Sequence, residues 1–342
     1  MDGSTVSGEY VTSLEHQPAE GVVVEAPHAA GRADFMVGNS PAMAVVFDQI
    51  RRFATCDAPV LITGESGTGK ELAARAIHDR SARAKEAFVP INCAALPATL
   101  IASELFGYEK GAFTGANGRK RGQIEHAHRG TLFLDEIGDM PADLQTHLLR
   151  FLQEGEIVRV GGQERIKVNV RVIAATNAHV REAIAAGRLR EDLFFRLNVL
   201  GLKLPPLRER QGDVRVLASF FLHRIARELE RPVDAISPAA AALLEVYPWP
   251  GNVRELIATL RRAVVLANSH EIQVADLGLE SPVVLPRPAG ALPHSRTPVE
   301  RERLRAALEL NNYNISKTAN ELGVSRLTVY RMMQRHEIAR PA

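Results

Sequence analysis

Cysteine is nearly missing from this chain: its 342 residues include only Cys56 and Cys93. Two thiols cannot support a disulfide framework, so a reducing compartment, the cytoplasm, is the expected setting. Both are expected to be small, buried and inert core residues. Aromatic side chains are scarce as well, at 5%, so the cores must rely on Leu, Val, Ile and Ala. No run approaches the ~18 apolar residues of a membrane-spanning helix. A basic segment followed by an apolar one, the pattern of a secretory signal, is not seen at the N-terminus. What is present is ordinary for a globular protein: 46% hydrophobic and 24% charged residues, with length enough for two or three domains.

Net charge is +2, unevenly spread. Residues 1–34 hold six acids (Asp2, Glu9, Glu15, Glu20, Glu25, Asp34) against Arg32, whereas residues 299–342 hold eight bases against five acids. An acidic head and a basic tail place any nucleic-acid contact at the C-terminus. The head, 1–34, lacks periodicity and is expected to be disordered; Val22-Val23-Val24 is too short to anchor a domain. Short apolar strands are then predicted at Pro59–Thr63, Phe88–Ile91, Thr131–Leu134 and Val170–Ala174, separated by helical segments. That alternation predicts a parallel sheet with helices on both faces, an α/β subdomain over 35–207. The strands stop after Leu207, and 208–280 reads as an all-α subdomain broken at Pro232, Pro238 and Pro248–Gly251. Five prolines make 281–298 a stiff linker. A last helical block occupies 299–342, and no internal repeat is evident.

Gly64-Glu65-Ser66-Gly67-Thr68-Gly69-Lys70 matches G-x-x-x-x-G-K between an apolar strand and a helix, the context that motif requires. Its glycines let backbone N–H groups point at phosphates, Lys70 supplies charge at the β/γ oxygens, and the helix N-terminus adds its own partial positive charge. The motif expects Ser or Thr next, for Mg²⁺; Glu71 stands there, which leaves Thr68 or waters as substitute ligands. A second motif agrees: Thr131-Leu132-Phe133-Leu134-Asp135-Glu136, a buried strand ending in two carboxylates. Asp135 can hold Mg²⁺ and Glu136 can polarise the attacking water of ATP hydrolysis.

Between these motifs lies Gly111-Ala112-Phe113-Thr114-Gly115-Ala116. With them it resembles the signature loop of sigma-54-dependent transcriptional activators, the bacterial enhancer-binding proteins, over roughly residues 35–280. The resemblance implies an AAA+ fold with a helical lid, a ring, usually a hexamer, and Gly111–Ala116 as the sigma-54 contact. It implies further roles residue by residue. Asn92 would restrain Glu136; the plainer reading is a turn Asn capping a helix. Thr176 and Asn177 would sense the γ-phosphate. Arg190 and Arg196 would reach a neighbouring subunit's nucleotide, against the alternative of internal ion pairs with Glu191 or Asp192. Arg254, in Gly251-Asn252-Val253-Arg254-Glu255, would sense nucleotide from the lid. Arg159 falls in a second pore-side loop and would relay nucleotide state to the first. His126 and His128 have no third ligand nearby, so a metal site is not expected there.

In the C-terminal block, Ala319, Gly323 and Val329 have helix-turn-helix spacing: Ala allows close contact, Gly the turn, and Val329 fixes the second helix. Ser325 would cap that helix, and Arg326, Thr328, Arg331 and Arg335 are the DNA-binding candidates with it. The block resembles the dimeric Fis-type helix-turn-helix. The expected protein is thus an ATP- and Mg²⁺-dependent activator that binds upstream double-stranded DNA, self-associates and remodels sigma-54 RNA polymerase holoenzyme. An AAA+ regulator or repressor that does not engage sigma-54, and a DNA-tethered AAA+ remodeller, stay open as alternatives. Family members commonly carry an N-terminal receiver or ligand-binding domain. Thirty-four residues are too few for one, so a separate regulatory protein, or a lost domain, is the expectation.

Overall fold

In a computed structural model, the residues described are 23–24, 36–95, 97–177, 180–279, 298–311, 313–315, 317–318, 329 and 333. They fall in two compact units, within 1–282 and within 283–342. The acidic head lies almost wholly outside the described residues; Val23–Val24, which pair antiparallel with Met36–Val37, are the exception.

The first unit is built on five parallel strands: β1 (Val60–Thr63), β2 (Phe88–Asn92), β3 (Thr131–Asp135), β4 (Arg171–Thr176) and β5 (Leu200–Lys203), in the order β5-β1-β4-β3-β2. Side chains alternate across the sheet, so β3 sends Leu132 and Leu134 to one core and Phe133 to the other. On one face pack α1 (Pro41–Phe53) and α2 (Lys70–Asp79); on the other, α3 (Ala98–Phe106) and α4 (Ala142–Glu154). With both faces covered, β3 and β4 can be nearly continuously apolar, and this is why they were visible in the sequence. The edge strand β5 was not, because Gly201 and a terminal Lys break its apolar run. Helix α1 starts with a side-chain cap: Ser40 Oγ accepts a hydrogen bond from Met43 N, and Pro41 takes the first helical position.

The lid is helical, with α6 (Asp213–Glu228), α7 (Pro238–Val246) and α8 (Asn252–Leu266) around fully buried Trp249; α5 (Glu191–Leu197) precedes β5. The expectation that strands stop after Leu207 is corrected: Ala235–Ile236 pair in parallel with Glu271–Ile272 inside the lid. Two-residue strands are too short to leave an alternating pattern. Cys93 is buried, and burial pushes its thiol pKa up to about 12. Cys56 corrects the other cysteine expectation, being exposed in the turn after α1 with Sγ 3.8 Å from the Phe53 carbonyl.

In the second unit, α9 (Pro298–Leu310) contributes Leu304 and Leu308 to a small core with Ile315, Val329 and Met333. Val329 is fully buried there, in keeping with its expected packing role. Ser325, Arg326, Thr328, Arg331 and Arg335 lie outside the described residues. Among the described residues no helix is long and apolar enough to cross a membrane.

Candidate functional site

The loop Gly64–Gly69 leaves β1, turns over the C-terminal ends of the strands and enters α2 through Gly69. It borders a cavity of about 300 Å³ whose wall also carries Lys70, Glu71, Asp135, Glu136 and Arg254. Lys70, only 7% exposed, donates to Gly64 O at 3.1 Å and pairs with Glu136 Oε1 at 3.4 Å. The two acidic residues at the tip of β3 therefore sit opposite the loop lysine, as their order in the sequence suggested.

Asp135 and Glu136 differ in environment. Among the described residues, the hydrogen bond to the Asp135 carboxylate comes from Glu136 N, at 3.1 Å. Burial raises the Asp135 pKa, with the Lys70 charge opposing. A half-buried carboxylate short of counter-charge is the donor a hard cation needs, so the residues present fit Mg²⁺. Glu136 has φ +53°, a left-handed conformation uncommon outside glycine and costly to hold. That backbone turns its carboxylate back over the cavity, where Oε2 accepts from Asn177 N at 3.0 Å.

Thr176 and Asn177 end β4 beside the loop: Thr176 is in register with Thr63, and its carbonyl accepts from Gly64 N at 3.4 Å. Arg254 donates to Ser66 Oγ at 2.9 Å from α8. The Thr68 hydroxyl, buried, donates to Glu65 O at 2.8 Å. Asn92 bonds within its own turn. Its Oδ1 accepts from Ala94 N and Ala95 N, at 2.9 and 3.1 Å, and no hydrogen bond joins it to Glu136. The side chain caps the turn after β2, and Lys70 and Asn177 N hold Glu136.

Arg190 and Arg196 are exposed and do not line the cavity. Arg190 binds Asp192 with two hydrogen bonds, at 3.0 and 2.7 Å, and Arg196 donates twice to Leu152 O. The Gly111–Ala116 loop closes on itself, Gly111 N to Ala116 O at 2.9 Å, and presents Thr114 and a 44% exposed Phe113, whose ring meets Tyr108 edge-on. At its base, buried Arg159 donates to both Glu125 oxygens (2.8 and 2.7 Å) and to Glu109 (2.7 Å), holding the Glu125 pKa down. Arg159 thus ties its own loop to the base of the Gly111–Ala116 loop through Glu109. Among the described residues no group of three or more His, Cys, Asp or Glu side chains is placed to hold a metal ion.

Sequence reasoning passed over several residues at the site. Arg208 binds Glu65 with both guanidinium arms, at 2.8 and 2.6 Å. Asp213, fully buried, accepts from Asn39 N, Ser40 N and Ser40 Oγ, and so ties the start of α6 to the start of α1. Arg210 and Asn252 reach the loop from the lid. The signal for Asn252 was there, in the quoted Gly251–Glu255 run, but its neighbour Arg254 carried the more familiar charge.

Comparison with known proteins follows the same divisions. The family described as "Sigma-54 interaction domain" matches residues 36–203, "AAA+ ATPase lid domain" matches 208–282, and "Bacterial regulatory protein, Fis family" matches 295–336. The Nif-specific regulatory protein of Klebsiella oxytoca is 47% identical over 96% of this chain, which spans 65% of that protein's length. The regulatory protein AtoC of Escherichia coli (strain K12) is 47% identical over 88% of this chain and 67% of its own length. ZraR of the same strain is 45% identical over 98% of this chain and 76% of its own. Among solved structures, NtrX from Brucella abortus in complex with ATP is similar, with a TM-score of 0.67 and 37% identity, covering 89% of this chain and 69% of that one. The same protein in complex with ADP gives a TM-score of 0.68 at 36% identity, covering 89% and 70%.

Proposed function

Because this chain belongs to the family of sigma-54-dependent transcriptional activators, with its AAA+ fold, we propose that it hydrolyses ATP in a ring and uses the cycle to remodel sigma-54 RNA polymerase at promoters. The observation that carries this reading is one cavity walled by the Gly64–Lys70 loop, Asp135, Glu136 and Arg254, joined in the same subdomain to an exposed Gly111–Ala116 loop. The ATP complex of NtrX supports ATP as the ligand.

The residues divide the work. Loop amides and Lys70 bind the β/γ-phosphates. Asp135 would hold Mg²⁺, which when bound neutralises charge developing on the phosphoryl oxygens. Glu136 accepts the proton of the attacking water. In the present geometry its carboxylate is held on Lys70 and Asn177 N, so phosphate arriving at Lys70 competes for the charge that restrains it. Thr176 and Asn177 read the phosphate end, and Arg254 reads the nucleotide from the lid. Arg190 and Arg196, which do not line their own subunit's cavity, answer phosphoryl charge in a neighbouring subunit. The Gly111–Ala116 loop meets sigma-54, and Arg159 couples it to the second loop. The helix-turn-helix, with Ser325, Arg326, Thr328, Arg331 and Arg335 toward DNA, tethers the ring upstream.

Binding of sigma-54 in the presence of a transition-state nucleotide analogue tests the reading. A stable complex that forms with the analogue and not with ADP is expected. Nucleotide turnover with no sigma-54 complex would instead favour an AAA+ regulator that does not engage sigma-54.

A further inference from the structure

Every carbonyl of the phosphate loop has a donor. Gly64 O takes Lys70 Nζ, Glu65 O takes Thr68 N and Oγ1, and Gly69 O takes Ala73 N. These donors are local. The middle three come from the lid: Asn252 Nδ2 to Ser66 O at 3.0 Å, Val253 N to Gly67 O at 3.1 Å and Arg210 Nη2 to Thr68 O at 2.9 Å. Three consecutive carbonyls, three lid donors.

The donors are built for the task. Asn252 is fully buried and also accepts from Leu207 N at 2.7 Å while donating to Glu65 Oε2 at 3.1 Å. Its backbone is left-handed, φ +52°, a conformation Asn tolerates better than most residues. Arg210 is 3% exposed, is fixed a second time by Pro205 O, and has its pKa lowered to about 10 by burial. Gly67, at φ +80°, lies so close to the lid that a Cβ there would overlap the Gly251 carbonyl oxygen.

A carbonyl and the amide that follows it share one rigid peptide plane, so turning the oxygen out turns the next N–H in. The peptides Ser66–Gly67 and Thr68–Gly69 each lead into a glycine, where rotation meets the least steric resistance. Uncapped, they can rotate and aim an oxygen at the phosphates. We infer that Asn252, Val253 and Arg210 are positioning groups that hold the loop in its phosphate-binding form, so nucleotide affinity depends on the capping of these three carbonyls rather than on lid–loop contact in general. This rests on reading Gly64–Lys70 as the nucleotide loop. Coupling of this kind is reciprocal: losing a lid cap weakens nucleotide, and nucleotide tightens the lid.

The test titrates a fluorescent ADP into the full chain. Asn252→Asp keeps the acceptor to Leu207 N, removes the Ser66 cap and also removes the bond to Glu65; Arg208→Ala cuts the Arg208–Glu65 ion pair between lid and loop and touches no carbonyl. Affinity should fall tenfold or more in Asn252→Asp and by less than threefold in Arg208→Ala. Equal losses in the two, or unchanged affinity in Asn252→Asp, overturn the inference and leave the nucleotide site standing. No ADP binding by the parent chain overturns the nucleotide site itself. A second measurement needs no variant: saturating ADP should slow hydrogen exchange at the Val253 amide, which is bonded to Gly67 O, and an unchanged rate there overturns the coupling even if Asn252→Asp does not fold.

Discussion

Lys70 Nζ lies 3.4 Å from Glu136 Oε1, with the two side chains 7% and 15% exposed. A nucleotide would bring its own negative charge to Lys70, so binding must weaken this pair and release Glu136. Glu136→Gln should therefore bind ATP at least as tightly as the parent chain while losing turnover. Lys70→Ala should lose ATP binding altogether, since the β/γ oxygens lose their main counter-charge. Calorimetric titration beside a steady-state phosphate-release assay separates the two; weaker ATP binding in Glu136→Gln contradicts the competition.

Thr114 is exposed on a loop that touches no wall of the cavity. Thr114→Ala should retain most of the ATPase rate and lose open-complex formation with sigma-54 polymerase. A variant that still opens promoters would remove this loop from the coupling step.

Arg190 is spent on Asp192, and Arg196 on Leu152 O, within this subunit. Both must exchange these partners to serve a neighbour. Arg196→Ala should bind ATP yet lose on the order of 10³-fold or more in rate, the scale of arginine fingers in related nucleotidases. Mixed with Lys70→Ala it should recover activity at interfaces that join an intact loop to an intact finger. If mixed rings are shown to form and stay inactive, the trans assignment fails or every site must be intact; dilution with parent chain distinguishes these by its steepness.

His78 is buried against Phe88, with Nδ1 2.9 Å from Thr131 Oγ1, and burial lowers its pKa to about 4. The unfolded chain binds that proton near pH 6.5, the folded chain only near 4. Stability is therefore lost as pH falls through this window, by at most about 3 kcal/mol from this group. Urea midpoints measured from pH 7 to 4 should fall less steeply in His78→Gln than in the parent. Parallel slopes would mean that carboxylates alone govern the acid limb.

The parts of this protein that were legible in the sequence are those in which a single local segment carries both the signal and the chemistry. Gly64–Lys70 needs a strand before it and a helix after it, and both are contiguous with it. Asp135 ends the buried strand β3 and Glu136 follows it directly. Strands β1 to β4 were readable for the same reason, and β5 was not, because Gly201 and a terminal Lys break its apolar run. By itself the sequence determined the layers, the Gly64–Lys70 loop and the acidic pair Asp135 and Glu136. The tertiary structure alone decided which partner each polar group finds. Asn92 caps its own turn, Glu136 is held by Lys70, and the carbonyls of Ser66, Gly67 and Thr68 are taken by residues about 140 to 190 positions away. Hydrogen-bond partners are chosen by proximity in space, and periodicity and motif spacing report only proximity along the chain.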